Sequence, residues 1–228
     1  MMNQSENIFE TGQVLLINKP LGWTSADVVR KIRNLIRIKK VGHAGTLDPL
    51  ATGLLILCTG KFTKKINEYM AQEKEYTGSF TMGATTPSYD LETKPENFKD
   101  YSLLTEESIK AIAAEFTGEI LQIPPIHSAI KKEGKRAYEF ARSGKHIELE
   151  PRKITIKEFE IVSVNLPLVH FRVVCSTGTY IRSLANDIGI KAGCGAYLSS
   201  LCRTRIGNFT LDQSISVEEF VNKIKPGI

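Results

Sequence analysis

The sequence predicts an α+β protein of 228 residues, in which helices pack against a sheet. Patterns typical of strands and helices follow one another irregularly, without the steady alternation that marks a doubly wound parallel sheet. No internal repeat, low-complexity tract or long linker divides the chain. We therefore expect a single domain over residues 1–228, a length sufficient to bury a hydrophobic core.

The first part of the chain predicts a strand, a turn and a basic helix. The apolar residues 14–17 predict a strand over 14–18, and the segment 19–22 is predicted to be a turn. The helix is predicted to begin near Thr24, which has capping-box spacing to Asp27. Its apolar face consists of Val28, Val29, Ile32, Leu35 and Ile36. A glycine-rich stretch then leads into an apolar run at 54–58 that predicts a buried strand.

The remaining elements follow from periodicity and stop signals. Alternation predicts strands at residues 74–83, 153–165 and 169–176. Helices are predicted at 105–116, 180–190 and 217–224. Residues 196–211 predict two short strands broken near Arg205.

Positive charge is concentrated in two segments of a chain whose formal net charge is +5. Residues 19–40 hold seven Lys or Arg against one acid, and residues 131–157 hold nine against four. Such clusters are typical of surfaces that bind a polyanion, because each neutralised phosphate releases counterions. Exposed basic helices give the same pattern, so charge alone leaves nucleic acid as one of two interpretations.

Several classes of protein are not indicated by the sequence. The four cysteines lack C-x-x-C spacing and nearby paired histidines, so we expect neither a zinc site nor a disulfide framework. The first ten residues lack the apolar run of a signal peptide, and no membrane-spanning run follows. We expect a cytoplasmic protein that does not bind membranes.

The most informative segment is G-H-A-G-T-L-D-P-L-A-T-G at residues 42–53. Its glycines allow tight turns and close approach to a ligand, and Pro49 favours an extended backbone at Asp48. It lacks the Gly-Lys-Ser/Thr ending of a phosphate-binding loop and is not a dinucleotide fingerprint. On local pattern alone, Asp48 is a turn residue or a functional carboxylate.

This segment resembles the signature of the bacterial tRNA pseudouridine-55 synthases, the TruB family. Further similar segments follow in order: K-P-L-G-W-T-S at 19–25, K-E-Y at 74–76, Q-I-P-P-I-H-S-A-I-K at 122–131, S-T-G-T-Y-I-R-S-L-A-N-D at 176–187 and L-C-R-T-R-I-G at 201–207. The resemblance implies the pseudouridine synthase fold, with a mixed, mostly antiparallel sheet flanked by helices.

The resemblance also implies the active site. Asp48 matches the catalytic carboxylate, Arg182 its paired arginine, and Tyr76 the aromatic residue that stacks on the target base. His43 matches the residue that fills the space left by the flipped base, and Tyr180 and Leu201 match residues that line the uracil pocket. Whether Asp48 attacks C1′, attacks C6 or assists elimination at the sugar stays open.

The implied substrate is the T-loop uridine of tRNA, and no cofactor is expected because the reaction involves no redox change. Residues 123–152 match an RNA-gripping insertion, and the expected RNA contacts are Lys19, Lys131, Lys132, Arg136 and Arg142. We expect the insertion to become ordered on RNA. We also expect a monomer and, because the chain ends at Ile228, no C-terminal PUA-type domain.

The chain departs from the family pattern at two places. His127 stands where relatives more often have Tyr or Phe, and T-T-P-S-Y-D at 85–90 replaces a more acidic stretch, which weakens the case for an auxiliary role of Asp90. The alternative function is a noncatalytic RNA-binding or tRNA-folding protein with the same fold. Asp48, Tyr76 and Arg182 argue against it, because binding alone does not require all three.

Overall fold

The computed structural model describes residues 7–128, 130–132, 134–142, 147 and 149–224. For residues 131, 132, 135, 136, 138, 141 and 142 it describes the backbone only. No described helix is both long and apolar enough to cross a membrane.

The strands of the described residues are β1 (Val14–Lys19), β2 (Val41–His43), β3 (Ala51–Thr59), β4 (Lys74–Met82), β5 (Gly118–Gln122), β6 (Lys131–Lys132), β7 (Lys135–Arg136), β8 (Arg152–Asn165), β9 (Leu168–Cys175), β10 (Ala196–Ile206), β11 (Phe209–Thr210) and β12 (Ile215–Ser216). The α-helices are α1 (Ile8–Thr11), α2 (Ser25–Ile36), α3 (Ile66–Ala71), α4 (Glu106–Ala114), α5 (Ala137–Arg142), α6 (Ile181–Lys191) and α7 (Val217–Ile224). Short 3₁₀ helices cover Gly60–Lys65 and Leu211–Gln213.

The chain divides into two compact units, residues 1–76 with 201–228 and residues 77–200. In the first unit β3 is the central strand. It pairs antiparallel with β1 and β2 and parallel with the last part of β10, where Leu201 lies opposite Ala51. β12 pairs parallel with β1.

Strand β3 is buried on both faces, which explains its continuous apolar run. Leu55 and Leu57 pack with α2 and α7 in one cluster, whereas Leu54, Ile56 and Cys58 pack in another. Helix α2 begins as predicted, because Thr24 and Asp27 form a capping box. Its buried positions Val28, Ile32 and Ile36 confirm the predicted apolar face.

The second unit has the strand order β4-β9-β8-β5, with antiparallel pairing of β8 to β9 and of β5 to β8. Helices α4 and α6 contact each other, and α4 contacts β8. Stacked rings of Phe80 and Phe171, with centroids 5.7 Å apart, contribute to the core. The mixed, mostly antiparallel pairing and the flanking helices confirm the predicted α+β class.

Residues 196–211 contain two strands, as predicted, and the break comes two residues after Arg205. Strand β10 continues without interruption through Arg205 to Ile206. The turn comes at Gly207 and Asn208, where a two-residue connection joins β10 to β11. Gly207 has φ +53°, and a side chain there would collide with the Gln72 carboxamide.

Candidate active site

Asp48 lies in the connection between β2 and β3, in the first unit. The Ala51 amide donates to the Asp48 carbonyl at 3.1 Å and closes a turn over Pro49 and Leu50. Asp48 is partly exposed. The presentation of its carboxylate to a ligand stays a prediction.

A buried lysine braces this turn. The Lys19 ammonium donates to the carbonyls of Pro20 at 3.0 Å, Trp23 at 2.5 Å and Pro49 at 3.4 Å. Lys19 is 0% exposed. These three bonds match the three donors of the ammonium, and a contact of Lys19 with RNA stays a prediction.

The pKa of Lys19 is lowered from 10.5 to about 8, chiefly by burial and to a smaller extent by the positive charge of Arg203. The negative charges of Asp48 and Asp27 act in the opposite direction. Lys19 is thus a cation near Asp48 that is held in place at a cost in solvation.

Arg203 on β10 braces the other side of the same connection. Its guanidinium donates to the carbonyls of Leu54 at 2.8 Å, Gly45 at 3.2 Å and Thr46 at 3.5 Å. Arg203 is 1% exposed, and a side chain at Gly53 would approach its backbone to 2.4 Å. The L-C-R-T-R-I-G motif at residues 201–207 does not by itself indicate this role of Arg203.

Ser25, the first residue of α2, fixes the residue before Asp48. Its hydroxyl accepts from the Leu47 amide at 2.9 Å and donates to the Leu47 carbonyl at 3.2 Å. Together with Lys19 and Arg203, this contact orders the backbone around Asp48 from two directions.

Three other predicted site residues, His43, Tyr76 and Leu201, belong to the first unit as well. His43 is the last residue of β2. Burial, and to a smaller extent the positive charge of Arg203, lower the pKa of His43, whereas a hydrogen bond with the Gly45 backbone raises it. Neutral His43 is therefore favoured at physiological pH. Tyr76 on β4 is 8% exposed, and half-buried Leu201 pairs with Ala51.

In the second unit, Arg182 on α6 is 3% exposed. It donates to the carbonyls of His127 at 2.9 Å and Ser88 at 3.3 Å. Its Nε lies 3.6 Å from Oδ2 of Asp90, which is also buried. Asp90 therefore lies next to the predicted catalytic arginine, although residues 85–90 depart from the family pattern.

Tyr180 is half-buried and occupies the N-cap position of α6, where its backbone is extended and no side chain caps the helix. Its backbone instead forms hydrogen bonds with Gln122 at the end of β5. Residues 122–128 thus lie against the start of α6, through bonds that no local sequence pattern reveals.

The predicted RNA contacts of the insertion lie on short elements. Lys131 and Lys132 form β6, Arg136 belongs to β7, and Arg142 ends α5. Their side chains lie outside the described part of the structure, so their contact with RNA stays a prediction.

An open recess of about 570 Å³ in the first unit carries positive charge from lysines that are separated in the sequence. Its basic lining residues are Lys39, Lys40, Lys61 and Lys64. Asp48 is not among the residues that line it, so the recess differs from the predicted uracil pocket.

Within the described ranges, no group of three or more His, Cys, Asp or Glu could hold a metal ion. Cys58, Cys175 and Cys194 are buried, and Cys202 is half-buried.

Comparison with known proteins accounts for nearly the whole chain. The family description "TruB family pseudouridylate synthase (N terminal domain)" matches residues 33–181, and "tRNA pseudouridylate synthase B C-terminal domain" matches residues 182–225. The tRNA pseudouridine synthase B of Flavobacterium johnsoniae is 53% identical over 94% of this chain and 96% of that protein. The protein of the same name from Parabacteroides distasonis is 50% identical over 92% of each.

Solved structures show the same fold. A chain in the crystal structure of a Cbf5–Nop10–Gar1 complex has a TM-score of 0.73 and 30% identity, and the match covers 94% of this chain and 54% of that one. A chain in an H/ACA RNP bound to a substrate RNA containing 2′-deoxyuridine has a TM-score of 0.71 and 28% identity, over 95% and 54%. This chain thus spans about half the length of these solved chains. The family matches and the relatives about half identical over almost the full length show that the chain belongs to the TruB family of pseudouridylate synthases.

Proposed function

We propose that this protein converts uridine to pseudouridine at position 55, in the T-loop of tRNA, with Asp48 as the catalytic carboxylate. Relatives named tRNA pseudouridine synthase B support the substrate class. The observation that carries the proposal is the family match across the Asp48 loop, combined with the buried braces that order this loop.

The reaction breaks the bond between C1′ and N1, turns the uracil and joins C1′ to C5. A carboxylate beside the nucleotide supplies the nucleophile or base that such an exchange requires. Lys19, Ser25 and Arg203 contribute by holding the Asp48 backbone before substrate arrives. Preorganisation of this kind lowers the barrier, since the loop need not be ordered during the reaction.

The target base must leave the folded T-loop, which costs a few kcal/mol in lost stacking and pairing. We assign Tyr76 to stacking on the extruded base, and Tyr180 and Leu201 to the lining of its pocket. His43 fills the space that the base leaves. A neutral imidazole suits this role, since it enters the RNA stack without placing a full charge there.

Arg182 completes the proposed catalytic set. Its pairing with Asp48 stays a prediction. The buried carboxylate of Asp90 and the His127 carbonyl support a positioned guanidinium, because they restrain it from two sides.

The basic surfaces would bind the RNA backbone. The lysine recess provides four ammonium groups in the first unit, and the insertion at 123–152 carries the other basic segment. Phosphate contacts of this kind fix the register of the RNA, whereas contacts to the extruded base identify the uridine.

The experiment uses a tRNA transcript and a T-arm minihelix, both with tritium at C5 of uridine. We expect wild-type protein to release tritium from one uridine, and mapping of the product to place pseudouridine at position 55. Asp48→Asn should abolish release and leave RNA affinity within about tenfold, because the substitution removes the carboxylate but keeps its shape.

Asp212→Asn is the matched control, since Asp212 is an exposed aspartate in a separate 3₁₀ helix. RNA binding without tritium release by the wild type would instead favour the noncatalytic RNA-binding protein. Release of free uracil would indicate hydrolysis, and modification elsewhere would indicate another substrate uridine. Full turnover of Asp48→Asn would refute the role of Asp48.

A further inference from the structure

Gln122 holds the backbone of Tyr180 through both halves of its carboxamide. The Tyr180 amide donates to Oε1 of Gln122 at 2.8 Å, and Nε2 of Gln122 donates to the Tyr180 carbonyl at 3.0 Å. Gln122 is 2% exposed, so water does not compete strongly for these bonds.

The two bonds engage both backbone groups of Tyr180 at the start of α6. Tyr180 is the N-cap residue, so its amide lies outside the helical ladder. Its carbonyl accepts from the Leu184 amide at 3.1 Å, which leaves one lone pair for Gln122. A carboxamide matches this pair because it presents one donor and one acceptor side by side.

Two neighbouring bonds extend the same attachment. The Ser183 hydroxyl donates to the Ile123 carbonyl at 2.8 Å, and Arg182 donates to the His127 carbonyl. Residues 122–128, at the start of the basic insertion, therefore hold the first turn of α6. Tyr180 and Arg182, the two residues with proposed functions, lie in this turn.

We propose that Gln122 is a positioning residue that sets the backbone of Tyr180 and, through it, the placement of Arg182. This inference rests on the proposed function, because it assigns Gln122 a role in the same reaction. The segment 122–128 then serves two purposes, as the root of the insertion and as the support of the catalytic arginine.

Gln122→Met tests the role, because methionine keeps the approximate length and volume but removes both hydrogen bonds. We expect kcat for tritium release to fall about tenfold or more, with KM and RNA affinity within about threefold. Hydrogen exchange of the Tyr180 amide should become faster, which reports the loss of the clamp independently of activity.

Gln213→Met is the matched control. Gln213 also accepts a backbone hydrogen bond, from the Thr210 amide at 3.0 Å, but it lies in the first unit. We expect this variant to retain wild-type kcat and wild-type exchange at Tyr180, even where its Tm falls by a similar amount.

Gln122→Glu adds a pH signature that general destabilisation does not produce. The charged carboxylate can accept from the Tyr180 amide but repels the Tyr180 carbonyl, whereas the protonated acid restores the donor. Its turnover relative to wild type should therefore rise as the pH falls. Arg152, opposite Gln122 in β8, and Arg182 are the cations nearby, and they shift this rise to lower pH.

The inference is overturned if Gln122→Met keeps wild-type kcat, if its loss lies in KM alone, or if Gln213→Met loses the same turnover. It is also overturned if exchange at Tyr180 is unchanged. Absence of tritium release by the wild type would refute the proposed function, whereas the exchange measurement would still decide whether Gln122 holds Tyr180.

Discussion

Replacing Lys19 by methionine removes a buried ammonium and keeps most of the apolar side chain. The pKa of Lys19 is about 8 in the folded protein, against 10.5 ordinarily. Below about pH 8 the group is protonated in both states, and the cost of burying its charge is fully present. Between about pH 8 and pH 10.5 the folded state releases the proton first, so the wild type gains stability with rising pH.

The size of this gain follows from the two pKa values. From about pH 7 to about pH 9.5 it amounts to about 2 kcal/mol, and it approaches about 3 kcal/mol once both states are deprotonated. Lys19→Met lacks the titrating group and therefore lacks this component. Other groups titrate equally in both proteins, so the difference between the two pH dependences isolates Lys19.

Urea unfolding at the two pH values measures the free energy of unfolding of wild type and variant. Lys31→Met is the control, because Lys31 is exposed on α2 and should change the pH dependence little. Parallel pH dependences in wild type and Lys19→Met would refute the reasoning. We also expect kcat of the wild type to decline above about pH 8, since a neutral amine has two donors for three carbonyls.

Two further predictions concern Arg182 and the lysine recess. Asp90→Asn should lower the free energy of unfolding by about 1–3 kcal/mol, because a buried guanidinium loses its counter-charge. We also expect it to lower kcat more than RNA affinity. Urea unfolding and tritium release measure these effects, and unchanged values for both would contradict the prediction. The double substitution Lys61→Glu and Lys64→Glu should weaken tRNA binding. If each lysine contacts one phosphate, the slope of log affinity against log salt concentration should fall by about 1–2. An unchanged slope in a salt titration would show that the recess does not bind the RNA.

Local patterns predicted those elements whose signals are local. The capping box of Thr24 and Asp27 set the start of α2, and helix α7 matches its predicted range. The break predicted near Arg205 comes two residues later, at Gly207 and Asn208. Arg205 pairs with Glu73 at 3.0 Å, so a distant carboxylate allows this cation within a continuous strand.

In the candidate site, too, local motifs were predictable from the sequence, whereas long-range contacts were not. The motif around Asp48 was recognisable in the sequence, as was the family it belongs to. The burial of Lys19 was not predictable, because one of its three carbonyl partners lies 30 residues away and the sequence shows only a lysine in a basic segment. The contacts of Gln122 with Tyr180 span 58 residues and leave no periodic signal.

The donors and the acceptors of the bonds that Lys19 and Arg203 make should differ in how well they tolerate substitution. Their described acceptors are main-chain oxygens, which every amino acid supplies, whereas the donors depend on one particular side chain. In a saturation library, an exposed position such as Thr46 can therefore vary without loss of its bond. Substitutions at Lys19 or Arg203 release three carbonyls at once, so a single codon change at either position disturbs the whole connection.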